Sequence, residues 1–292
     1  MSAPGQWRRR ATLVGAVALL AGCVFLTTDP RAVIDEPEGL RIATLQCAHA
    51  LAAAASAHAT PRGSAAVDPA AIRMLVWNIH KQEDRGWEAD LARMARAHDI
   101  LLLQEVTLQD SLQSILRDAG LRWILASSFI YRETDVGVLT AARVAPVATC
   151  TQRIIEPIAR IPKSAVITWM PLAGTTETLA IANVHAINFT LTLADYRAQL
   201  DALADVLSQH RGPVVLAGDF NTWSAARTAE LEAMALRLDL HAVTYADDRR
   251  TRFLGRPVDH VLVRGLAVIS SGTESVTSSD HNPVDVVLRV AR

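Results

Sequence analysis

The sequence predicts an α+β fold with a two-sheet core flanked by helices, and three observations carry that reading. Beyond Ala71, apolar β-favouring runs first alternate with amphipathic helical ones. In the middle of the chain several strand-like runs then follow one another with no helix between them, so antiparallel pairing must accompany any parallel pairing. Finally, 292 residues with half of them apolar suffice to bury the core of one domain of about 200 to 250 residues plus an N-terminal appendage.

Taken in order, the first strand is expected over residues 72–77, where Ile72, Met74, Leu75, Val76 and Trp77 form a buried-strand run. A helix over 87–98, a strand over 100–103, a helix over 108–119 and a strand over 121–126 follow. Further strands are expected over 136–140, 165–170, 179–184, 214–217, 258–263 and 284–288, with helices over 193–210 and 225–238. The folded domain is thus assigned to 71–292. Residues 24–70, rich in Ala and carrying Pro30, Pro37 and Pro61, read as a tether with a helix over 40–57.

Residues 1–23 read as an export signal: Arg8, Arg9 and Arg10, an apolar run over 11–20, then Ala21 and Gly22 before Cys23. Leu20-Ala21-Gly22-Cys23 resembles a bacterial lipobox, which would make the chain an exported, extracytoplasmic lipoprotein acylated at Cys23. The alternative is an uncleaved membrane anchor, for which the run is short. Cys47 and Cys150 then remain, either as a disulfide or as two small buried residues that never meet. Loss of the first 23 residues leaves 26 basic and 30 acidic side chains, a net of −4. That balance argues against a general nucleic-acid coat, though not against a local basic groove.

The chemistry-bearing residues stand where apolar runs end, since a sheet delivers such side chains to an exposed edge. Asn78 ends the first run, Glu105 the second, His185 the run over 179–184 and Asp219 the run over 214–217; Asp259 opens a strand, and Asp280-His281 precede the last one. Any one of them has a bland explanation as a turn former or cap. Together they make an inventory of acids, amides and histidines suited to a hard cation and to proton transfer.

At these residues the chain resembles the endonuclease/exonuclease/phosphatase superfamily, the DNase I-like fold. The matching segments are Trp77-Asn78-Ile79, Leu103-Gln104-Glu105, Asn183-Val184-His185, Gly218-Asp219-Phe220-Asn221, Val258-Asp259-His260 and Ser279 to Pro283, all in order. The longer strings around Asn78, His185 and Asp219 resemble a bacterial YafD-like subgroup. The resemblance implies a four-layer α/β/β/α sandwich of two mixed, mostly antiparallel sheets, and hydrolysis of a phosphodiester in nucleic acid or a phospholipid headgroup. It implies Mg²⁺, or Mn²⁺ or Ca²⁺, held by Glu105 with Asn78 and Asp280. Asp219 would position or deprotonate the attacking water, Asn221 would donate to the phosphate, His281 oriented by Asp259 would contact it, and His185 would help protonate the leaving oxygen.

His49, His58, His98, His210 and His241 lack motif partners and are expected to be structural. His260 is expected to pack on the far face of its strand, His80 is left open, and Lys81 and Asn188 are candidates for phosphate contact. The molecule is expected to be a monomer. The competing reading is a non-catalytic envelope module on the same fold; a serine hydrolase is disfavoured because no G-x-S-x-G elbow occurs.

Overall fold

The computed structural model describes residues 30–56, 65–190 and 192–291, so the expected export segment and Cys23 lie outside the described residues. Along the chain the elements are β1 (Arg31–Glu36), β2 (Gly39–Ala43), α1 (Cys47–Ser56), β3 (Ile72–Asn78), α2 (Trp87–Ala97), β4 (Ile100–Thr107), α3 (Asp110–Asp118), β5 (Arg122–Tyr131) and β6 (Thr134–Ala142). There follow β7 (Ala148–Ile155), β8 (Pro162–Pro171), β9 (Thr178–His185), α4 (Ala194–Leu207), β10 (Val214–Asp219), α5 (Ala225–Arg237) and β11 (His241–Ala242). The chain ends with the β12 (Arg252–Phe253) and β13 (Arg256–Pro257) hairpin, β14 (Asp259–Arg264), β15 (Leu266–Thr273) and β16 (Val284–Val290).

Two mixed sheets face each other. The first runs β15-β16-β3-β4-β6-β5-β1-β2 and the second β11-β14-β10-β9-β8-β7. Alternation along each strand builds four layers. On β3, Leu75 and Trp77 pack outward with Trp87, Leu91 and Met94 of α2 and Leu112 and Leu116 of α3. Met74 and Val76 point inward, against Ile181, Val215 and Ala217 of the second sheet. The far side of that sheet packs Ala182 and Leu216 against Tyr196, Leu200 and Leu203 of α4 and Met234 of α5. This is the expected α/β/β/α sandwich.

Two parallel pairs place the polar residues. β3 pairs with β4, and β9 with β10, each joined through a helix as a parallel pair requires. All four strands end at one edge of the sandwich, with Asn78, Glu105, His185 and Asp219 there. Antiparallel β14 starts at that edge, Asp259 opposite Asp219. The last turn of β10 is tight: Gly218 has φ +137°, and a Cβ on it would lie 2.0 Å from the Val184 carbonyl oxygen.

The N-terminal portion differs from the expected tether. β1 pairs with β5, Val33 opposite Leu125, and β2 extends the same sheet. Ala32, Val33 and Ile34 form a buried run that the flanking prolines disguise, because proline is tolerated where a strand begins or ends. The helix expected over 40–57 is confined to α1, and its first residues form β2 instead. Cys47 of α1 is bonded to Cys150 of β7, which resolves the two readings of that pair. Beyond β1 and β2, the strands that went unanticipated are β7, where polar and apolar residues mix, β15, which lies partly exposed at the sheet edge, and the two-residue β11, β12 and β13. Among the described residues no helix is long and apolar enough to cross a membrane.

Replacing Gly218 with Ala should lower unfolding stability by roughly 2 kcal/mol or more, because the left-handed φ and the Val184 oxygen both oppose a side chain. Denaturant unfolding followed by circular dichroism measures it; an unchanged midpoint would contradict the close approach.

Candidate active site

Asp219, almost fully buried, is the hub. Its Oδ2 accepts from Asn78 Nδ2 at 3.1 Å and lies 3.5 Å from His185 Nε2 and 4.0 Å from His281 Nε2. Its Oδ1 accepts from the Asn221 backbone N–H at 2.9 Å. Asp259 grips the other nitrogen of His281, Nδ1 lying 2.9 and 3.1 Å from its two oxygens. The loop carrying His281 is pinned from β3: Trp77 Nε1 donates to the His281 carbonyl at 2.9 Å, and Ser279 Oγ donates to the Asn78 carbonyl at 2.7 Å. Burial opposes charge on His281, but Asp259 outweighs it and pushes the imidazole up to about 10. At neutral pH His281 is therefore a cation aimed at Asp219.

Glu105, at φ +52°, stands beside this cluster. Its carboxylate meets Lys81 Nζ at 2.5 Å, His185 Nε2 at 3.6 Å and Lys163 Nζ at 4.0 Å. Burial alone would raise its pKa, yet His185, Lys163 and Lys81 hold it well below the usual carboxylate range. Lys163 Nζ also donates to His185 Nε2 at 2.8 Å. Burial, reinforced by Lys163, drives His185 down to about 4. His185 is thus a neutral acceptor, with Lys163 Nζ as its donor.

Lys81 reaches Glu105 because the chain turns sharply after β3. His80, Lys81 and Gln82 take φ values of +46°, +54° and +58° in succession, a run that L-residues adopt only under constraint. Here Gln82 supplies the constraint, donating to the Thr107 carbonyl and accepting its N–H, each at 2.9 Å. His80 N–H is accepted by Asn78 Oδ1 at 3.1 Å, and its ring meets Asp84 at 2.7 Å.

The structure therefore gathers Asn78, Glu105, His185, Asp219, Asp259 and His281 at one edge. Two expected partners of Glu105 stand elsewhere. Asp280 is exposed, its nearest ion-pair contact His80 Nε2 at 3.9 Å, and Asn78 is engaged with Asp219; the ammonium of Lys81 meets Glu105 instead. Asn221 also differs from expectation, since Nδ2 donates to the Ala186 carbonyl at 2.9 Å, so that one of its two N–H groups braces the backbone. Asn188 accepts from Trp223 Nε1 rather than facing the cleft alone. His98 is structural, bonded to the Met94 carbonyl and Asp285. Lys163 went unread because it heads β8 within no motif; only its place at the start of a buried strand marks it.

Donor atoms of Asp219, Asp259 and His281 lie within 4.8 Å of one another and form a second carboxylate-rich group of metal-ligating type. A cleft of about 240 Å³ opens beside the cluster, with Lys81, Glu105, Lys163 and His185 on one side and Phe129, Ile161 and Phe189 among its walls.

The sequence matches the model of the Endonuclease/Exonuclease/phosphatase family over residues 75–281. A UPF0294 protein of Vibrio parahaemolyticus is 38% identical over 220 residues, covering 74% of this chain and 77% of its own. A UPF0294 protein of Yersinia pestis is 38% identical over 215 residues, covering 74% and 82%. The fold is shared with an endonuclease/exonuclease/phosphatase from Bacteroides vulgatus, at TM-score 0.61 and 17% identity over 75% of this chain and 99% of that one. It is shared too with the human Nocturnin catalytic domain bearing a sulfate anion, at TM-score 0.60 and 18% identity over 78% and 97%.

Behind the cluster, His260 packs on the opposite face of β14, with Nε2 at 2.7 Å from Thr222 Oγ1. Burial and Arg250 lower it to about 4 from an ordinary 6.5. A depressed histidine favours the folded state above its unfolded pKa, and that contribution is lost as pH falls from 6.5 toward 4. Denaturant unfolding across this window should lose on the order of 3 kcal/mol through His260. The variant His260→Asn should flatten that part of the profile; an unchanged slope would refute the assignment.

Proposed function

The chain belongs to the endonuclease/exonuclease/phosphatase family, and on that premise we propose that it is a divalent-metal-dependent phosphodiesterase whose site is centred on Asp219 and His281. Family membership supports phosphoester hydrolysis as the general chemistry. The observation that carries the finer reading is the set of three carboxylates, Glu105, Asp219 and Asp259, collected with His281, Lys81 and Lys163 at one sheet edge.

Hydrolysis of a phosphoester needs a positioned water, charge to meet the non-bridging oxygens, and a proton for the leaving oxygen. Asp219 answers the first need, because Asn78 and the Asn221 N–H fix its orientation and so set its direction before substrate arrives. His281 serves the second, held cationic by Asp259 and aimed at the space beside Asp219. Lys163, relayed through or beside the neutral His185, is placed for the third.

The donor set fits a hard cation. Glu105 is the primary candidate ligand and Mg²⁺, Mn²⁺ or Ca²⁺ the matching ions; Asn78, whose Oδ1 accepts from His80 N–H, and the exposed Asp280 would add oxygens only by leaving their present positions. When bound, the ion would supply neutralisation of the phosphate and acidification of the attacking water. Asp219, Asp259 and His281 fit less well, because Asp259 keeps His281 protonated and an imidazolium offers no lone pair. Lys81 occupies Glu105 and must yield to an incoming cation. The proposal extends to a monomer, exported and attached to a membrane through its N-terminal segment, as the residues before Cys23 suggest.

Incubating the purified protein with Mg²⁺ or Mn²⁺ against plasmid DNA, RNA, phospholipids and an aryl phosphodiester, with a chelator control, tests the reading. Asp219→Ala and His281→Ala should each reduce turnover by about 1,000-fold; full activity in Asp219→Ala would sink it. His98→Ala should retain turnover per folded molecule while losing stability, since its ring bridges α2 to β16. Calorimetric titration with Mn²⁺ gives a second check: Glu105→Gln should weaken binding by roughly tenfold or more, whereas Asp259→Asn should not.

A further inference from the structure

We propose that the rim around the active site docks on a lipid bilayer, with the tip of the β12–β13 hairpin inserted among the headgroups, so that the phosphoester is taken at a membrane surface. Leu254 and Gly255 form the two-residue loop of this hairpin, with φ values of +49° and +79°. Such loops favour Asn, Asp or Gly at the first position, where the left-handed conformation costs least. Leu254 is instead a branched apolar side chain in a strained conformation, 74% exposed, and Phe253 beside it is 59% exposed. The folded state gains nothing evident from either, so a partner outside the chain is the natural reason for both.

The hairpin stands next to the catalytic cluster. It leads directly into Asp259, and Thr251 at its base donates to the Asp280 carbonyl at 3.2 Å and accepts the Asn282 N–H at 2.9 Å. Across the site, the segments before β8 and after β9 leave the same edge of the second sheet. They carry Ile158, 52% exposed, and Phe189, 56% exposed. Glu156 ties the two together by accepting the N–H groups of Asn188 and Phe189 at 2.5 and 2.7 Å. Apolar side chains therefore stand on both sides of the opening that Asp219 and His281 face.

Charge selects the partner. Residues 247–257 hold four arginines against two acids, a net of +2; Asp247 pairs with Arg249 and Asp248 with Arg250 and Arg252, and Arg252 and Arg256, both exposed, bracket the tip. Apolar tips flanked by guanidinium groups suit an anionic bilayer, where the alkyl groups enter the acyl boundary and the arginines reach lipid phosphates. Nucleic acid is the weaker match, since the chain from Cys23 onward is net acidic and the most exposed side chain of the rim, Leu254, has no ring face to stack on a base, although Phe253 and Phe189 do.

Docking can be read without catalysis, so its failure leaves the phosphodiesterase reading untouched. A solvatochromic fluorescent amino acid is placed at position 254 of the full chain, and in a separate preparation at position 236, where Leu236 is exposed at the far end of α5. With vesicles of phosphatidylcholine and phosphatidylglycerol, emission from position 254 should shift to the blue and be quenched by brominated acyl chains about twofold or more above position 236. No response at 254, an equal response at both positions, or a shift with duplex DNA but none with vesicles would each overturn the proposal.

Discussion

Carboxylates removed from water need cationic company, and the active edge of this protein is organised by that requirement. Glu105, Asp219 and Asp259 sit in or against a two-sheet core, where unpaired charge would be costly. Each has a different solution. Asp259 shares a proton-bearing histidine, Asp219 takes an amide, a backbone N–H and the His281 imidazolium, and Glu105 draws two lysines over its carboxylate. His185 lies between two of these acids yet stays neutral, because it is buried and Lys163 already provides positive charge beside it. One electrostatic constraint thus yields a fixed acid, a fixed cation and a neutral relay within a few ångströms.

Backbone strain is concentrated at the same edge. His80, Lys81, Gln82, Glu105 and Asn221 all take left-handed conformations without being glycine. At about 1–2 kcal/mol for each such residue, these positions persist because neighbours over-determine them: Gln82 bridges both polar groups of Thr107, and Asn221 is held through its backbone and its side chain. The strands' regular alternation would point successive side chains to opposite faces. Left-handed residues at strand ends bend the chain so that polar groups from both sheets converge on one space.

Much of this was legible from the residues themselves. The ends of β3, β4, β9 and β10 are marked by polar side chains closing apolar runs, and those runs are long enough to fix strand identity. Lys163 was not legible, because a single lysine at a strand start has no local signature; its role arises from the pairing of β8 with β9. The exposed placement of Asp280 was hidden for a related reason, as adjacency to His281 in sequence says nothing about which way a loop residue turns. β1 and β2 escaped notice because a short strand between prolines looks like linker until its partner strand is known.

The Cys47–Cys150 bond joins two parts of the architecture that otherwise meet through packing and the Thr151 N–H hydrogen bond to the Leu45 carbonyl. Cys47 follows the β1–β2 edge of the first sheet, whereas Cys150 lies in the outermost strand of the second. With 103 residues separating the two cysteines, the chain-entropy view assigns such a closure on the order of 4–5 kcal/mol. None of the catalytic side chains lies on β1, β2, α1 or β7. Oxidation state therefore governs how firmly the sandwich is closed along one flank, while the geometry of the reacting groups is set on the other strands.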